Sequence, residues 1–268
     1  MKLSYYQLKG PSKKVSEDAF VINEHANLFG VFDGATPLVD FTNEEGFNGA
    51  YLAANLFRNY FSSKKSYPNL DKHVIKCNDL LKKLMIKNGI DMKEKHHLWS
   101  TCVVIISLHR ELIELAHLGD SMIIIEQSDG KITLLTKDTL KGLNDRAKKK
   151  RAKDRKKGIP LPDEEVYEKD IKRKLIYNRW LANTKEGYSV ANGMEEAAEF
   201  IDFQRIDRKL VKSVLLLSDG LFHPELSLTD IFLEVQKKGI ESYIHSLQNF
   251  EESNGLYSDD KTGIFLEL

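Results

Sequence analysis

Three apolar runs in this chain each end on an aspartate followed by a tiny residue. They are Phe29-Gly30-Val31-Phe32-Asp33-Gly34, Leu115-Ala116-His117-Leu118-Gly119-Asp120-Ser121 and Val214-Leu215-Leu216-Leu217-Ser218-Asp219-Gly220. A fourth acidic pair, Asp259-Asp260, precedes the terminal apolar stretch Gly263-Ile264-Phe265-Leu266. Buried strands rarely need to finish on a carboxylate. When several do, the simplest physical reason is that their tips converge on a cation, because clustered carboxylates otherwise repel one another and take up protons. Hard oxygen ligands select magnesium or manganese over zinc or copper.

The rest of the pattern comes in blocks. Ala19–Ile22 and Leu28–Phe32 are rich in β-branched and aromatic residues and read as strands. Asn43–Phe61 reads as a helix with Phe47, Tyr51, Leu52, Leu56 and Tyr60 near one face, and Leu70–Lys87 as a second. From Thr101 to Leu135 the period is that of strands, folded back at His109-Arg110-Glu111 and at Ser128-Asp129-Gly130. Such short connections favour antiparallel pairing. Val211–Leu217 is a further buried strand, Leu228–Val235 and Ile240–Phe250 read as helices, and the chain closes on a strand. Paired helices between hairpins predict antiparallel sheets packed together with helices outside.

Residues 137–199 differ. Lys141–Lys157 is densely basic, Gly158-Ile159-Pro160-Leu161-Pro162 breaks it, and Val166–Trp180 reads as helical. This segment is expected to be an insertion over the sheet edge rather than an independent domain. The basic run is read as a solvated helix face in preference to a nucleic-acid surface.

Lys plus Arg and Asp plus Glu are each 40, so the net charge of zero argues against a dedicated nucleic-acid binder. Cys77 and Cys102 lie in no metal-ligand spacing, and Cys102 sits in an apolar run. That pattern suits a reducing cytoplasm better than a disulfide scaffold. The first residues hold no apolar signal core, and no apolar stretch is long enough to span a bilayer. The expectation is a soluble cytoplasmic protein without membrane or nucleic-acid partners.

Alternative chemistries fit less well. Gly119-Asp120-Ser121 resembles a serine-hydrolase nucleophile block, but Asp219 and His223 are one residue too far apart for its late Asp-x-x-His pair. A haloacid-dehalogenase site needs a second aspartate two residues from the first, and Asp33 has none. His117 lies inside an apolar strand and is read as a satisfied core histidine, and His96-His97 as a loop.

Taken in order, the signals resemble the metal-dependent protein serine/threonine phosphatases of type 2C. These carry a basic residue four before a Glu-Asp pair, then Asp-Gly ending a strand, Ser-Thr opening one, Gly-Asp-Ser, a second Asp-Gly, and an acidic pair before the last strand. Here these are Lys13, Glu17-Asp18, Asp33-Gly34, Ser100-Thr101, Gly119-Asp120-Ser121, Asp219-Gly220 and Asp259-Asp260 with Thr262. The set spans almost the whole chain. It implies an α+β fold, a four-layer αββα sandwich of two mostly antiparallel sheets flanked by helix pairs. Residues 1–268 then form a single type 2C domain, with 137–199 as a flap beside the active site.

The resemblance implies hydrolysis of phosphoserine and phosphothreonine in phosphoproteins, opposite a Ser/Thr kinase, by a metal-activated water at a binuclear manganese or magnesium centre. Carried over by position, Asp33 would bridge two ions and the Gly34 carbonyl would help hold one. Asp219 and Asp259 would ligate the other. Glu17 would act through a metal-bound water with Asp18 behind it, and Asp120 would join Asp219 at a third, weaker ion. Lys13 stands where the family usually has a phosphate-binding arginine, and lysine offers a point charge rather than a fork. Ala35 stands where many members have a histidine that serves as general acid, help typically worth about 10²–10⁴-fold. These two departures support the rival expectation, a non-catalytic regulatory module on the same fold.

Overall fold

The computed structural model describes residues 1–268. Ten strands run β1 (Lys2–Leu8), β2 (Ala19–Asn23), β3 (Leu28–Gly34), β4 (Thr101–Leu108), β5 (Leu112–Leu118), β6 (Met122–Gln127), β7 (Ile132–Leu134), β8 (Asp202–Asp207), β9 (Val211–Leu217) and β10 (Lys261–Glu267). Seven α-helices are α1 (Gly49–Ser62), α2 (Leu70–Lys87), α3 (Leu143–Lys156), α4 (Glu164–Lys169), α5 (Ile171–Trp180), α6 (Leu228–Lys238) and α7 (Ile240–Ser253). The strands form two five-stranded sheets, ordered β1-β10-β9-β6-β7 and β2-β3-β4-β5-β8. Every paired neighbour is antiparallel. No helix is long and apolar enough to cross a membrane.

The three apolar cores follow from strands buried on both faces. Along β4 every residue from Thr101 to Leu108 is buried. Alternate residues face opposite ways. Val104 and Ile106 join Phe29, Val31, Ile123, Leu216 and Ile264 between the sheets. Val103 and Ile105 turn outward to meet Phe57, Phe61, Val74 and Leu81 of α1 and α2. On the other side, Leu215 and Leu217 pack on Phe232, Ile244 and Leu247 of α6 and α7. Fully burying one such side chain stabilises by about 1.5–3 kcal/mol. The result is helix pair, sheet, sheet, helix pair, as the block pattern predicts.

Several local expectations need correction. The first helix begins at Gly49, not Asn43, because Asn43 closes a turn on Phe47 and Asn48 caps the helix through the Tyr51 N–H at 3.0 Å. Val166–Trp180 is two helices broken at Asp170, whose carboxylate accepts from the Arg173 N–H and starts α5. The basic run is only partly a solvated face. Arg151 is 2 % exposed, pairs with Glu164 and lies under the rings of Tyr167 and Tyr177. Arg146 donates to three main-chain carbonyls, those of Thr139, Lys141 and Gly187. Lys141, Lys148, Lys149, Lys153, Lys156 and Lys157 are the members that face water. His117 is buried, yet its Nε2 has no partner, and burial holds its pKa down to about 4, so it is neutral at pH 7.

Candidate metal centre

The ends of β3, β5 and β9 lie together. Asp33, Asp120 and Asp219 each place a carboxylate oxygen within 4.8 Å of the others. No lysine or arginine forms an ion pair with any of the three. Their proton affinities reflect this. Loss of water around Asp33, and then the charges of Asp18, Asp219 and Asp120, raise its pKa well above the usual carboxylate value. Burial, followed by the charge of Asp219, lifts Asp120 to about 7. Asp219 is raised too, by loss of water and by Asp259 and Asp138, while Asp33 and Lys13 pull the other way.

Two glycines let these strand ends close up. A Cβ on Gly34 would lie 2.5 Å from the Glu17 carbonyl oxygen and 2.7 Å from that of Ala50. A Cβ on Gly220 would lie 1.9 Å from the Asp260 carbonyl oxygen. Each Asp-Gly thus carries its glycine because another main chain passes where a side chain would stand. The glycine next to Asp33 draws in the Glu17 loop, and the one next to Asp219 draws in the Asp260 loop.

Those two loops carry a second acidic group, bound differently. The Lys13 ammonium lies 2.6 Å from Asp259, 2.9 Å from Glu17 and 3.0 Å from Asp260. Burial opposes its charge, but the bonds to Asp259 and Glu17 outweigh it and raise its pKa. Asp260 also accepts from the Gly10 N–H at 2.7 Å and the Glu17 N–H at 2.6 Å, so it staples the loop from Gly10 to Glu17 onto the start of β10. Glu17 further accepts from the Asn48 amide, which caps α1 with its other end. Behind Asp259, the buried Lys261 ammonium donates to Ser258 and to the Asp259 carbonyl and pairs with Glu251 at 2.7 Å.

Asp18 stands behind Asp33. Burial lifts its pKa to about 7 against the pull of Thr262 and Ser218. One of its oxygens is buried with no hydrogen-bond partner. The residues expected at the site therefore fall into a bare set and a paired one. Asp33, Asp120 and Asp219 cluster, with Gly34 at the first tip and Asp18 behind. Glu17 and Asp259 adjoin them, joined to each other through Lys13.

Three participants escaped the sequence reading. Asp138 lies close enough for its charge to act on both Asp120 and Asp219. Asn48 holds Glu17. Arg179 of α5 donates to Ser100 Oγ at 3.0 Å and to the Thr36 carbonyl at 2.9 Å, tying the 137–199 segment to the loop after Asp33. None lies in an apolar run, so the strand-tip signal passes over them.

The donor set is all hard oxygen, from carboxylates and main-chain carbonyls, crowded and short of positive charge. It fits magnesium or manganese. The uncompensated charge and the partnerless Asp18 oxygen point the same way.

Comparison with known proteins agrees with this geometry. No curated protein matches the sequence significantly. Among solved structures, the serine/threonine phosphatase Stp1 of Staphylococcus aureus superposes with TM-score 0.62 at 16% identity, over 100% of this chain and 94% of that one. The catalytic domain of the phosphatase PstP in complex with two manganese ions gives TM-score 0.62 at 18% identity, over 99% and 97%. The Mycobacterium tuberculosis enzyme PstP/Ppp gives 0.61 at 18%, over 100% and 98%. The protein phosphatase 2C family model matches residues 11–260, almost the whole chain, and the protein belongs to that family.

Proposed function

We propose that the protein is a manganese- or magnesium-dependent phosphatase acting on phosphoserine and phosphothreonine in proteins. The observation that carries this reading is the trio Asp33, Asp120 and Asp219, three carboxylates within 4.8 Å with no cation paired to them. Asp33, Asp219, Asp259 and the Gly34 carbonyl would hold two divalent ions, Glu17 would act through water, and Asp120 with Asp219 would hold a third, weaker one. Bound there, such ions supply Lewis acidity that activates water and neutralises phosphoryl oxygens.

The chain's own residues do the rest. The strand tips fix the carboxylates, so little reorganisation is needed when charge develops on the phosphoryl group. Lys13 has its three N–H donors turned to Glu17, Asp259 and Asp260. Its contribution is to hold Glu17 and Asp259 in register and to add positive charge to the field, rather than to grip phosphate with a directed bond. Ala35 offers no proton, so the leaving alkoxide is protonated by water. Residues 137–199, bound to the site through Arg179, act as the flap of a single domain.

A binding module on the same scaffold is the second reading, and Ala35 is the observation that favours it. One experiment separates the two. Phosphothreonine peptide is incubated with the protein in manganese, in chelator, and as Asp33→Asn. Metal-dependent phosphate release that Asp33→Asn abolishes supports the enzyme. Release no faster than the Asp33→Asn background supports the module.

A further inference from the structure

A cleft of about 260 Å³ opens beside the carboxylate cluster, between the loop after β3 and the flap helices. Its walls include Ala35, Leu38, Leu140, Leu143 and Leu175, with Arg179 among the lining residues. Ala35 is two residues from Asp33, and its N–H is held by the Ser100 carbonyl at 3.0 Å. One wall of the cleft therefore starts within two residues of the carboxylate cluster. Tyr188 also lines it and packs in the same buried cluster as Cys102, the neighbour of Asp120.

Two polar residues, Asn178 and Arg179, interrupt the apolar lining. Arg179 donates to Ser100 Oγ and the Thr36 carbonyl, lies close to the Tyr188 hydroxyl, and forms no ion pair with a carboxylate. A guanidinium has five donors, so it retains capacity for an anion. Asn178, also in the lining, is 7 % exposed; its amide nitrogen donates to Asn144, but its Oδ1 has no partner.

We propose that this cleft is a substrate subsite that takes an apolar side chain next to the phosphorylated serine or threonine of a polypeptide. Arg179 faces the anionic side of the occupant. The volume suits one leucine-sized side chain. The inference rests on the phosphatase reading for its occupant, and its test is separable from that reading.

Matched fluorescein-labelled phosphothreonine peptides carry either leucine or glycine on both sides of the phosphoresidue. Hydrolysis in manganese gives the ratio of kcat/KM, and anisotropy gives the ratio of Kd. The leucine peptide is expected to be favoured roughly tenfold in both. Leu175 is 40% exposed, so Leu175→Asp folds, and it should bring both ratios close to one. Ile171→Asp puts the same charge one turn away, outside the cleft, and should keep them. Hydrolysis of both peptides at equal kcat/KM would overturn the subsite while leaving the phosphatase intact, as would a Leu175→Asp protein that retains the preference. Binding that favours leucine tenfold without any hydrolysis would uphold the subsite and defeat the enzyme reading. Equal binding without hydrolysis defeats both.

Discussion

Around Asp260 the chain supplies its own cation, and around Asp33 it supplies none. The two carboxylates lie at the same end of the sandwich, joined through Glu17, Asp18 and Asp219. Asp260 is satisfied by Lys13 and by two main-chain N–H groups, and holds a loop in place. Asp33 has lost most of its water and faces three other carboxylates, and both raise its pKa. An acidic residue with a structural job is surrounded by donors. One kept short of donors is costly to the metal-free fold, and that cost marks where an external cation belongs.

The largest effect should come from breaking the bare side of this contrast. Asp33→Asn removes one charge from the cluster. It should lower metal-dependent phosphopeptide hydrolysis by at least about 10³-fold. It should also raise the melting temperature of the chelated protein and abolish the rise that manganese gives the parent. Melting curves with chelator and with manganese check both signs.

Breaking the paired side should do the opposite. Lys13→Met leaves Glu17, Asp259 and Asp260 without their shared ammonium, and the Asp260 side chain is 1% exposed. The expected cost is about 3 kcal/mol, read as a lower urea midpoint with or without manganese. A neutral effect would show that the pairing contributes nothing to the fold.

Proton linkage sharpens the comparison. Asp18 and Asp120 titrate near 7 when folded, against about 4 for an unfolded aspartate. Groups with raised acid pKa values contribute stability that is full below the unfolded value and lost as pH rises through the folded one. The chelated protein should therefore melt roughly 5 °C or more higher at pH 5.5 than at pH 8. Glu126 and Glu164 are shifted downward and act only at lower pH, outside this window, while His117, held neutral by burial, opposes the trend below about pH 6.5 by less than the two aspartates contribute. Manganese should shrink or reverse the difference, because it replaces the protons.

The smallest effect should be at Asp138. Its charge acts on Asp120 and Asp219 from outside the trio. Asp138→Asn should weaken manganese binding by about tenfold in a calorimetric titration, with a small gain in metal-free stability.

The sequence displayed the bare cluster more plainly than its surroundings, for physical reasons. Asp33, Asp120 and Asp219 end runs of residues buried in the cores, and such runs are visible without any partner. The helix Leu70–Lys87 is equally legible at both ends, since one face carries Leu70, Val74, Cys77 and Leu81. β8 is hidden, because Asp202–Asp207 is an edge strand that pairs only with β5 and has just two apolar residues, Phe203 and Ile206, at a spacing that breaks the period of two. The burial of Arg151 was hidden too. Its partners, Glu164, Tyr167 and Tyr177, lie on two other helices, and nothing within the basic run distinguishes it from the solvated lysines. Lys13 shows as a basic residue near an acidic pair, but its second and third partners, Asp259 and Asp260, are about 245 residues away in sequence.

Anomalous diffraction at the manganese edge, from crystals grown with the metal in excess, tests the central claim most directly. The account predicts strong peaks within coordination distance, about 2–2.5 Å, of Asp33 and Asp219 oxygens, with Lys13 still bound to Asp260. A map without a peak among Asp33, Asp120 and Asp219 would contradict it.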